Sequence, residues 1–270
     1  MKKKLLLILL PLLAVTFNSC SMEEGEGLEW DGNTKLVKRI VLGRQIYEWE
    51  EVHEYFYDDN QRVTREDMSI SYKGEGGYWR YDLSSAYYIY ESNRVIVVND
   101  KGEEMGMAIL DNNNNVVESY LKNERGEYFL PQQYPEEFII PEFSNGYMTK
   151  FWFVLFTWES GNLIRAHSGD DDVTLEYGKT ENKLNSAKYP FYPIGNFAGY
   201  GKLPKNLPTY IANKNSYSYN GYAWRGHLSY TFDSDGYPTQ VYFKSSDPTA
   251  DDGIIFSFTY YEPRSKSLIW

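Results

Sequence analysis

Short runs of alternating apolar and polar residues, joined by polar turns, recur along the chain. Leu228 to Phe243 is the clearest case, because two alternating runs flank Asp233-Ser234-Asp235-Gly236. Asp and Ser open turns through side-chain hydrogen bonds to their own backbone, and Gly accepts the positive φ that closes a short loop. This stretch predicts a β-hairpin.

Similar units occur throughout the sequence. Polar turn sequences follow strand-like runs at 58–61, 99–102, 111–114 and 159–161. Such close turn spacing is typical of an antiparallel meander, in which consecutive strands pair. The pattern therefore predicts an all-β fold with many antiparallel strands.

Three stretches carry more specific predictions. Residues 78–90 form one long predicted strand, with Tyr87 and Ile89 on its dry face. Residues 149–158 are apolar at both parities, which favours a single strand covered on both sides. Residues 182–215 contain four prolines and form the longest predicted irregular region, and long loops are often functional.

The start of the chain predicts export and a lipid anchor. Three lysines precede an apolar run, Leu5 to Phe17, that is too short to span a bilayer comfortably, which indicates a secretory signal peptide over 1–19. The only cysteine, Cys20, follows at once and resembles a bacterial lipobox, in which the thiol is acylated, with palmitate for example, and becomes the new N-terminus. The alternative is an ordinary secreted protein with a stray thiol.

The residues after Cys20 bear on the cellular address. Ser21, Glu23 and Glu24 resemble a signal that sends lipoproteins to the outer leaflet of the outer membrane, and a solvated acidic tether is the alternative. We expect a flexible acidic tether over 20–34, followed by one domain over 35–270 that faces the cell exterior.

Composition excludes several classes of function. The net charge is -11, and removal of the leader leaves 24 basic against 38 acidic side chains, or -14. Such acidity disfavours nucleic-acid binding. A single cysteine excludes an internal disulfide and a Cys-rich metal site. The sequence has no Gly-x-Ser-x-Gly, phosphate-binding glycine loop or His-Glu-x-x-His, so we expect no cofactor and no catalytic residue.

Two constellations could nevertheless carry chemistry. His53, His167 and His227 could converge on a metal, but their wide spacing favours three unrelated imidazoles and no metal site. Glycoside hydrolases need paired carboxylates, and two clusters of acidic residues could supply them, although solvated faces are favoured for both. These clusters are Glu48, Glu50, Glu51 and Glu54, and Asp170, Asp171 and Asp172.

Aromatic residues make up 17% of the chain, and they are dense in and after the stretch 182–215. Flat rings with polar edges can bind sugar faces or protein surfaces. Alternatively, Tyr and Trp simply suit strands and cap a barrel end. The candidate binding residues are Tyr189, Tyr192, Phe197, Tyr200, Tyr217, Tyr219 and Trp224.

Three features together resemble a known family: the lipoprotein leader, Tyr-Thr-Phe-Asp-Ser-Asp-Gly-Tyr-Pro at 230–238, and Gly-Lys-Leu-Pro-Lys-Asn-Leu-Pro at 201–208. The family is the bacterial lipoprotein domain of unknown function 4595, described as porin-like. The resemblance implies a many-stranded antiparallel sheet that closes as a barrel, and it implies no reaction. Short strands with charged faces favour a soluble barrel over a membrane-spanning one.

These observations predict a surface-exposed lipoprotein that binds or scaffolds without catalysis, with a glycan or an envelope protein as partner. Two alternatives remain open. The barrel could carry an apolar small molecule in its lumen, as smaller barrels do. It could also be a glycoside hydrolase, if two carboxylates face each other across a cleft.

Overall fold

The computed structural model describes residues 35–43, 49–60, 62–74, 77–82, 85–112, 116–122, 126, 128–129, 142–151, 154–169, 171–184, 204–215, 224–248 and 250–261. These residues form 18 β-strands. The strands are β1 (Leu36–Leu42), β2 (Trp49–Tyr57), β3 (Val63–Gly74), β4 (Gly77–Asp82), β5 (Ala86–Tyr90), β6 (Arg94–Val98), β7 (Glu104–Leu110), β8 (Val116–Lys122), β9 (Tyr128–Phe129), β10 (Glu142–Ser144), β11 (Tyr147–Phe151), β12 (Val154–Glu159), β13 (Asn162–Ser168), β14 (Asp171–Glu181), β15 (Asn206–Asn215), β16 (Trp224–Phe232), β17 (Pro238–Ser245) and β18 (Gly253–Tyr261). Within this part of the chain no helix is long and apolar enough to cross a membrane.

The strands pair antiparallel and mostly in chain order, which makes a meander. The exception is β1, which lies between β18 and β2: Leu36 pairs with Tyr261, and Arg39 pairs with Glu54. The chain therefore curls round on itself. Between the described residues of β9 and β10 no pairing is found, so the barrel is nearly closed. The predicted all-β antiparallel barrel is confirmed.

Three of the predicted polar turns share one geometry, whereas residues 113 and 114 of the predicted turn at 111–114 lie outside the described residues. Asp58, Asn99 and Asp233 each accept two backbone hydrogen bonds through the side-chain Oδ1, from the residues two and four positions later, at 2.9–3.0 Å. In the last turn Gly236 adopts a φ of 82°, which only glycine reaches at low cost. The same side-chain-to-backbone hydrogen bonding therefore stabilises three of the chain reversals.

The inner faces of the strands bury one apolar cluster. It includes Ile40 on β1, Val97 on β6, Leu163 on β13 and Val241 on β17, all almost fully buried. These residues come from strands all round the sheet, so the strands share one buried apolar interior. Apolar burial of this extent is the main stabilising term of the fold.

A set of inward-facing aromatic residues closes one end of the barrel; we call it the aromatic collar. Each residue lies near the end of its strand and donates a side-chain hydrogen bond to a backbone carbonyl near the start of the strand paired with it. Five of these bonds measure 2.6–3.0 Å, and the sixth joins Tyr260 to Pro238. The collar consists of Tyr57, Tyr90, Trp158, Tyr177, Tyr230 and Tyr260.

Burial affects the ionisation of the collar tyrosines. Loss of hydration raises the pKa of the Tyr57 and Tyr230 hydroxyls well above the usual value, and it also raises those of Tyr177 and Tyr260. These four hydroxyls therefore remain protonated donors to the carbonyls of neighbouring strands.

Lys35, the first described residue, fixes the start of the sheet. Its ammonium lies 2.9 Å from Asp233 and 2.7 Å from Asp235, both in the turn between β16 and β17. Its backbone N–H donates to the Tyr237 hydroxyl at 3.2 Å. Hydrogen bonds to Asp233 and Asp235 raise the pKa of Lys35, so the ammonium stays charged. The N-terminal end of β1 is thus tied to the turn between β16 and β17.

Two strand predictions were wrong. Residues 149–158 are not one strand, because the chain reverses between Phe151 and Val154, which pair with each other across β11 and β12. The segment 78–90 is interrupted between β4 and β5, although both strands pair with β3. Its predicted dry face is also reversed at the end, since Tyr88 is buried while Ile89 is 48% exposed.

The region predicted to be irregular, 182–215, contains the ten-residue strand β15. Prolines suggested a loop, since proline cannot donate a ladder hydrogen bond. Pro208 instead lies where the register between β14 and β15 shifts, and Thr209 to Asn215 continue the ladder. Residues 185–203 of that region lie outside the described residues.

The collar predicts a measurable stability effect. Replacing Tyr230 with Phe removes the donor to the Pro208 carbonyl and should lower the free energy of unfolding by about 1 kcal/mol. Urea unfolding of the mature chain measures this effect. Tyr242→Phe, at an exposed position, is the matched control and should be close to neutral. Equal effects of the two substitutions would contradict the role assigned to the collar.

Candidate functional site

A cluster of charged and polar side chains lies inside the barrel, on the inner faces of β2, β3 and β5. His53 is 2% exposed; its Nδ1 lies 2.6 Å from a Glu66 oxygen and its Nε2 lies 2.7 Å from Glu51. The second Glu66 oxygen accepts a hydrogen bond from Tyr88 at 2.9 Å. We call Glu51, His53, Glu66 and Tyr88 the buried ionic cluster.

Two opposing effects set the charge of His53. Burial disfavours the imidazolium, but hydrogen bonds to Glu51 and Glu66 outweigh that effect and raise the pKa of His53 to about 9. The imidazole is therefore protonated at neutral pH, and both ring nitrogens donate to carboxylates.

This arrangement limits what the cluster can do chemically. A protonated imidazole with both nitrogens engaged has no lone pair to accept a proton or bind a metal. Glu66 is occupied on both oxygens. The buried ionic cluster therefore joins three strands rather than presenting a reactive group.

The three histidines lie on different strands and do not share a face. His167 pairs with Leu155 and Asp172 on the outer face of β13, and the exposed His227 lies 5.0 Å from the ring of Tyr210. His53 alone faces the interior. Among the described residues no group of His, Cys, Asp and Glu has a geometry suited to a metal ion.

The acidic candidates for glycoside hydrolysis are also dispersed. Glu51 faces His53 inside the barrel, whereas Glu54 faces outward, 3.6 Å from Arg39. Arg165 donates two hydrogen bonds to Asp172 and holds the pKa of that carboxyl below its usual range. Glu48 and Asp170 lie outside the described residues.

The remaining predicted site residues are not described. Cys20, Ser21, Glu23 and Glu24 precede the described part of the chain. Among the aromatic candidates, Trp224 begins β16, but its side chain is not described. The others, Tyr189, Tyr192, Phe197, Tyr200, Tyr217 and Tyr219, lie wholly outside the described residues.

A surface that the sequence analysis did not single out is the apolar outer face of four neighbouring strands. Ile89 on β5 lies opposite Ile96 on β6, which lies opposite Met107 on β7, which lies opposite Tyr120 on β8. The residues between them in sequence point inward, as the full burial of Val95 and Ala108 shows. We call this surface the β5–β8 outer face.

Further apolar side chains widen the β5–β8 outer face. Tyr87 pairs with Val98 on one side of the central row, and Ile109 lies on the other side. Met105 is 42% exposed beside a bulge in β7. Ile89 and Met105 are exposed, and the other apolar residues of the face are half-buried. Contiguous apolar groups that face solvent mark interaction surfaces.

Two outer rows elsewhere on the barrel carry mostly polar and charged residues, although the second includes the exposed Leu155. One row across β12 to β16 has the members Thr157, Arg165, Thr174, Ala212 and Arg225. A second row across β11 to β15 has the members Lys150, Leu155, His167, Asp172 and Lys214. The contrast makes the β5–β8 outer face the best candidate for a functional site.

Neither a protein family nor a curated protein matches the chain in sequence, and the resemblance to the lipoprotein domain remains a prediction. Among solved structures, a porin-like protein from Bacteroides uniformis is similar, with 12% identity, a TM-score of 0.47, and 83% of this chain and 98% of that chain covered. The Cpx pathway activator NlpE from Escherichia coli matches with 12% identity and a TM-score of 0.17, over 84% of this chain and 95% of that chain.

The buried ionic cluster predicts a pH dependence of stability. The pKa of His53 is raised from 6.5 to about 9 by folding, so its stabilising contribution is full below pH 6.5 and is lost as the pH rises through about 9. Between these values the free energy of unfolding should fall by an amount on the order of 3 kcal/mol.

Urea unfolding over this pH range, compared between the wild-type chain and His53→Gln, measures the dependence. The variant should show a much flatter curve, because glutamine does not titrate. His227→Gln replaces an exposed imidazole and should keep the wild-type slope. Identical slopes for all three chains would show that His53 is not charged in the folded state.

Proposed function

We propose that this protein is a lipid-anchored lipoprotein of the outer membrane, facing the cell exterior, that binds another envelope protein without catalysis. The observation that carries the proposal is the row Ile89, Ile96, Met107 and Tyr120 on the β5–β8 outer face. Large apolar side chains on the solvent side of a sheet gain free energy when a partner covers them.

The chemistry of the face favours a protein partner over a glycan. Three of the four residues of its central row are isoleucine or methionine, whose side chains offer no flat ring and no polar edge for a sugar, and Tyr120 lies at one end of that row. Flexible, polarisable methionines such as Met105 and Met107 are common at protein-binding surfaces. A protein partner is therefore the better fit.

The interior supports a binding role over the carrier and hydrolase alternatives. Inner side chains from strands all round the sheet form one almost fully buried cluster, and such low exposure argues against an open lumen between the described residues. The interior carboxylates Glu51 and Glu66 both bond to His53 rather than facing each other across a cleft.

The proposed address rests on the leader and on Cys20. In the native host, Cys20→Ala should abolish acylation, which mass spectrometry of the N-terminal peptide measures, and should release the chain from the membrane fraction. Protease treatment of intact cells should degrade the wild-type protein. Complete protection would contradict exposure at the cell surface, and an unmodified Cys20 would contradict the anchor.

The binding role can be tested by photo-crosslinking in living cells. A photoreactive phenylalanine in place of Ile96 should form a specific adduct with another envelope protein. The matched control carries the same group in place of Thr174, an exposed position in the polar row on β14, and should not form that adduct. Equal labelling from both positions, or none from position 96, would sink the proposed function.

A further inference from the structure

We propose that the partner of the β5–β8 outer face is a protein whose own contact surface is apolar at its centre and basic at its edge. This inference rests on the proposed function and specifies the chemistry of the partner. It follows from the charges that surround the apolar row.

The strands and turns of the face carry an excess of acidic groups. Over residues 86–122 the sequence has six acidic side chains against three basic ones, a net charge of -3. The acidic residues are Glu91, Asp100, Glu103, Glu104, Asp111 and Glu118, and the basic residues are Arg94, Lys101 and Lys122. Apart from Glu118, which lies within β8, they lie at or near the two ends of the four strands, so the apolar row has an acidic edge on two sides.

Two of the three basic groups already have acidic partners within the face. Arg94 contacts Glu91 at 2.6 Å, and Lys122 contacts Glu104. Glu118, which is half-buried beside the central row, accepts a hydrogen bond from the Tyr120 hydroxyl. That bond leaves its negative charge uncompensated by a cation among the described residues.

The turn between β6 and β7 adds to the acidic edge. Asp100 and Glu103 are exposed there, with Lys101 between them. Glu103 accepts a hydrogen bond from the side-chain amide of Asn99 at 2.8 Å, which is a neutral donor. The edge is thus negative at both ends, and a basic edge on the partner would complement it.

The same charges disfavour two other occupants. A membrane with anionic headgroups would be repelled, and interfacial binding surfaces normally carry Lys and Arg around the apolar side chains. A second copy of this chain would place one acidic edge against another, and like charges at an interface oppose association. A protein with basic residues at the edge of its contact surface would be attracted to the acidic edge rather than repelled by it.

The apolar row and the acidic edge would have separate roles in such a complex. Burial of the row supplies most of the affinity, and the edge steers the approach and selects against acidic surfaces. Contacts between exposed charges weaken as salt shortens the range of electrostatic attraction. The affinity should therefore fall with rising salt, whereas purely apolar docking would not weaken in this way.

The test uses the protein that the crosslinker at position 96 captures, purified and titrated with the mature chain. Raising the salt from about 0.05 M to about 0.5 M should weaken binding about tenfold. The triple variant Asp100→Asn, Glu103→Gln, Glu118→Gln should bind at least about fivefold more weakly than the wild-type chain at low salt.

A matched variant separates local charge from total charge. Glu159→Gln, Glu176→Gln, Glu181→Gln also removes three acidic groups, all exposed and on β12 and β14, and it should bind within about twofold of the wild-type chain. Far-ultraviolet circular dichroism and urea unfolding of both variants establish that each is folded before its binding is interpreted.

The outcomes separate this inference from the proposed function. If a partner is captured but its affinity changes neither with salt nor in the first triple variant, the inference is overturned and the docking role remains. A crosslink only to a second copy of the chain, or only to lipid, would overturn the partner class. No capture at position 96 would overturn the proposed function, and the inference with it.

Discussion

The pairing of the first and last strands is the constraint on which the rest of the structure depends. Hairpins between consecutive strands alone would not join the sheet that begins with β2 to the sheet that ends with β18. Because β1 lies between β18 and β2, the two halves form one sheet whose inner side chains bury one apolar cluster. Long-range pairing of this kind must repay the entropy of closing nearly the whole chain into a loop, and the apolar cluster provides the free energy for it.

The buried ionic cluster is stable only because that interior is closed. A charged imidazole in an apolar core is tolerated when both nitrogens meet carboxylates, and loss of either carboxylate would leave one buried ring N–H without its acceptor. His53 and Glu66 lie on the paired strands β2 and β3, and Tyr88 lies on β5, which also pairs with β3. The geometry of these bonds therefore favours one register among β2, β3 and β5, since a shift by one residue would turn His53 outward.

The parts of the fold that local interactions determine could be predicted from the sequence, whereas the parts that long-range contacts determine could not. Asp58, Asn99 and Asp233 specify their turns through bonds that span four residues, so the hairpins could be predicted. The chain reversal at Phe151 was not predicted because the alternation of apolar residues does not locate a turn. The strand β15 was not predicted because Pro208 suggested a loop, although it lies where the strand register is irregular. The β5–β8 outer face was not predicted because runs such as Arg94 to Val98 are apolar at both alternating sets of positions, so the sequence does not show which side faces the interior. Apolar residues on both sides of a strand could nevertheless have indicated an apolar outer surface.

The position of Lys35 gives the barrel a mechanical property. A pull on the chain ahead of Lys35 would load β1 along its own length, with a hydrogen-bonded neighbour on each side. Ladder bonds lie perpendicular to such a force, so they would have to shear together rather than open one at a time like a zipper. The attachment of Lys35 to Asp233 and Asp235 adds resistance at the point where the tension enters.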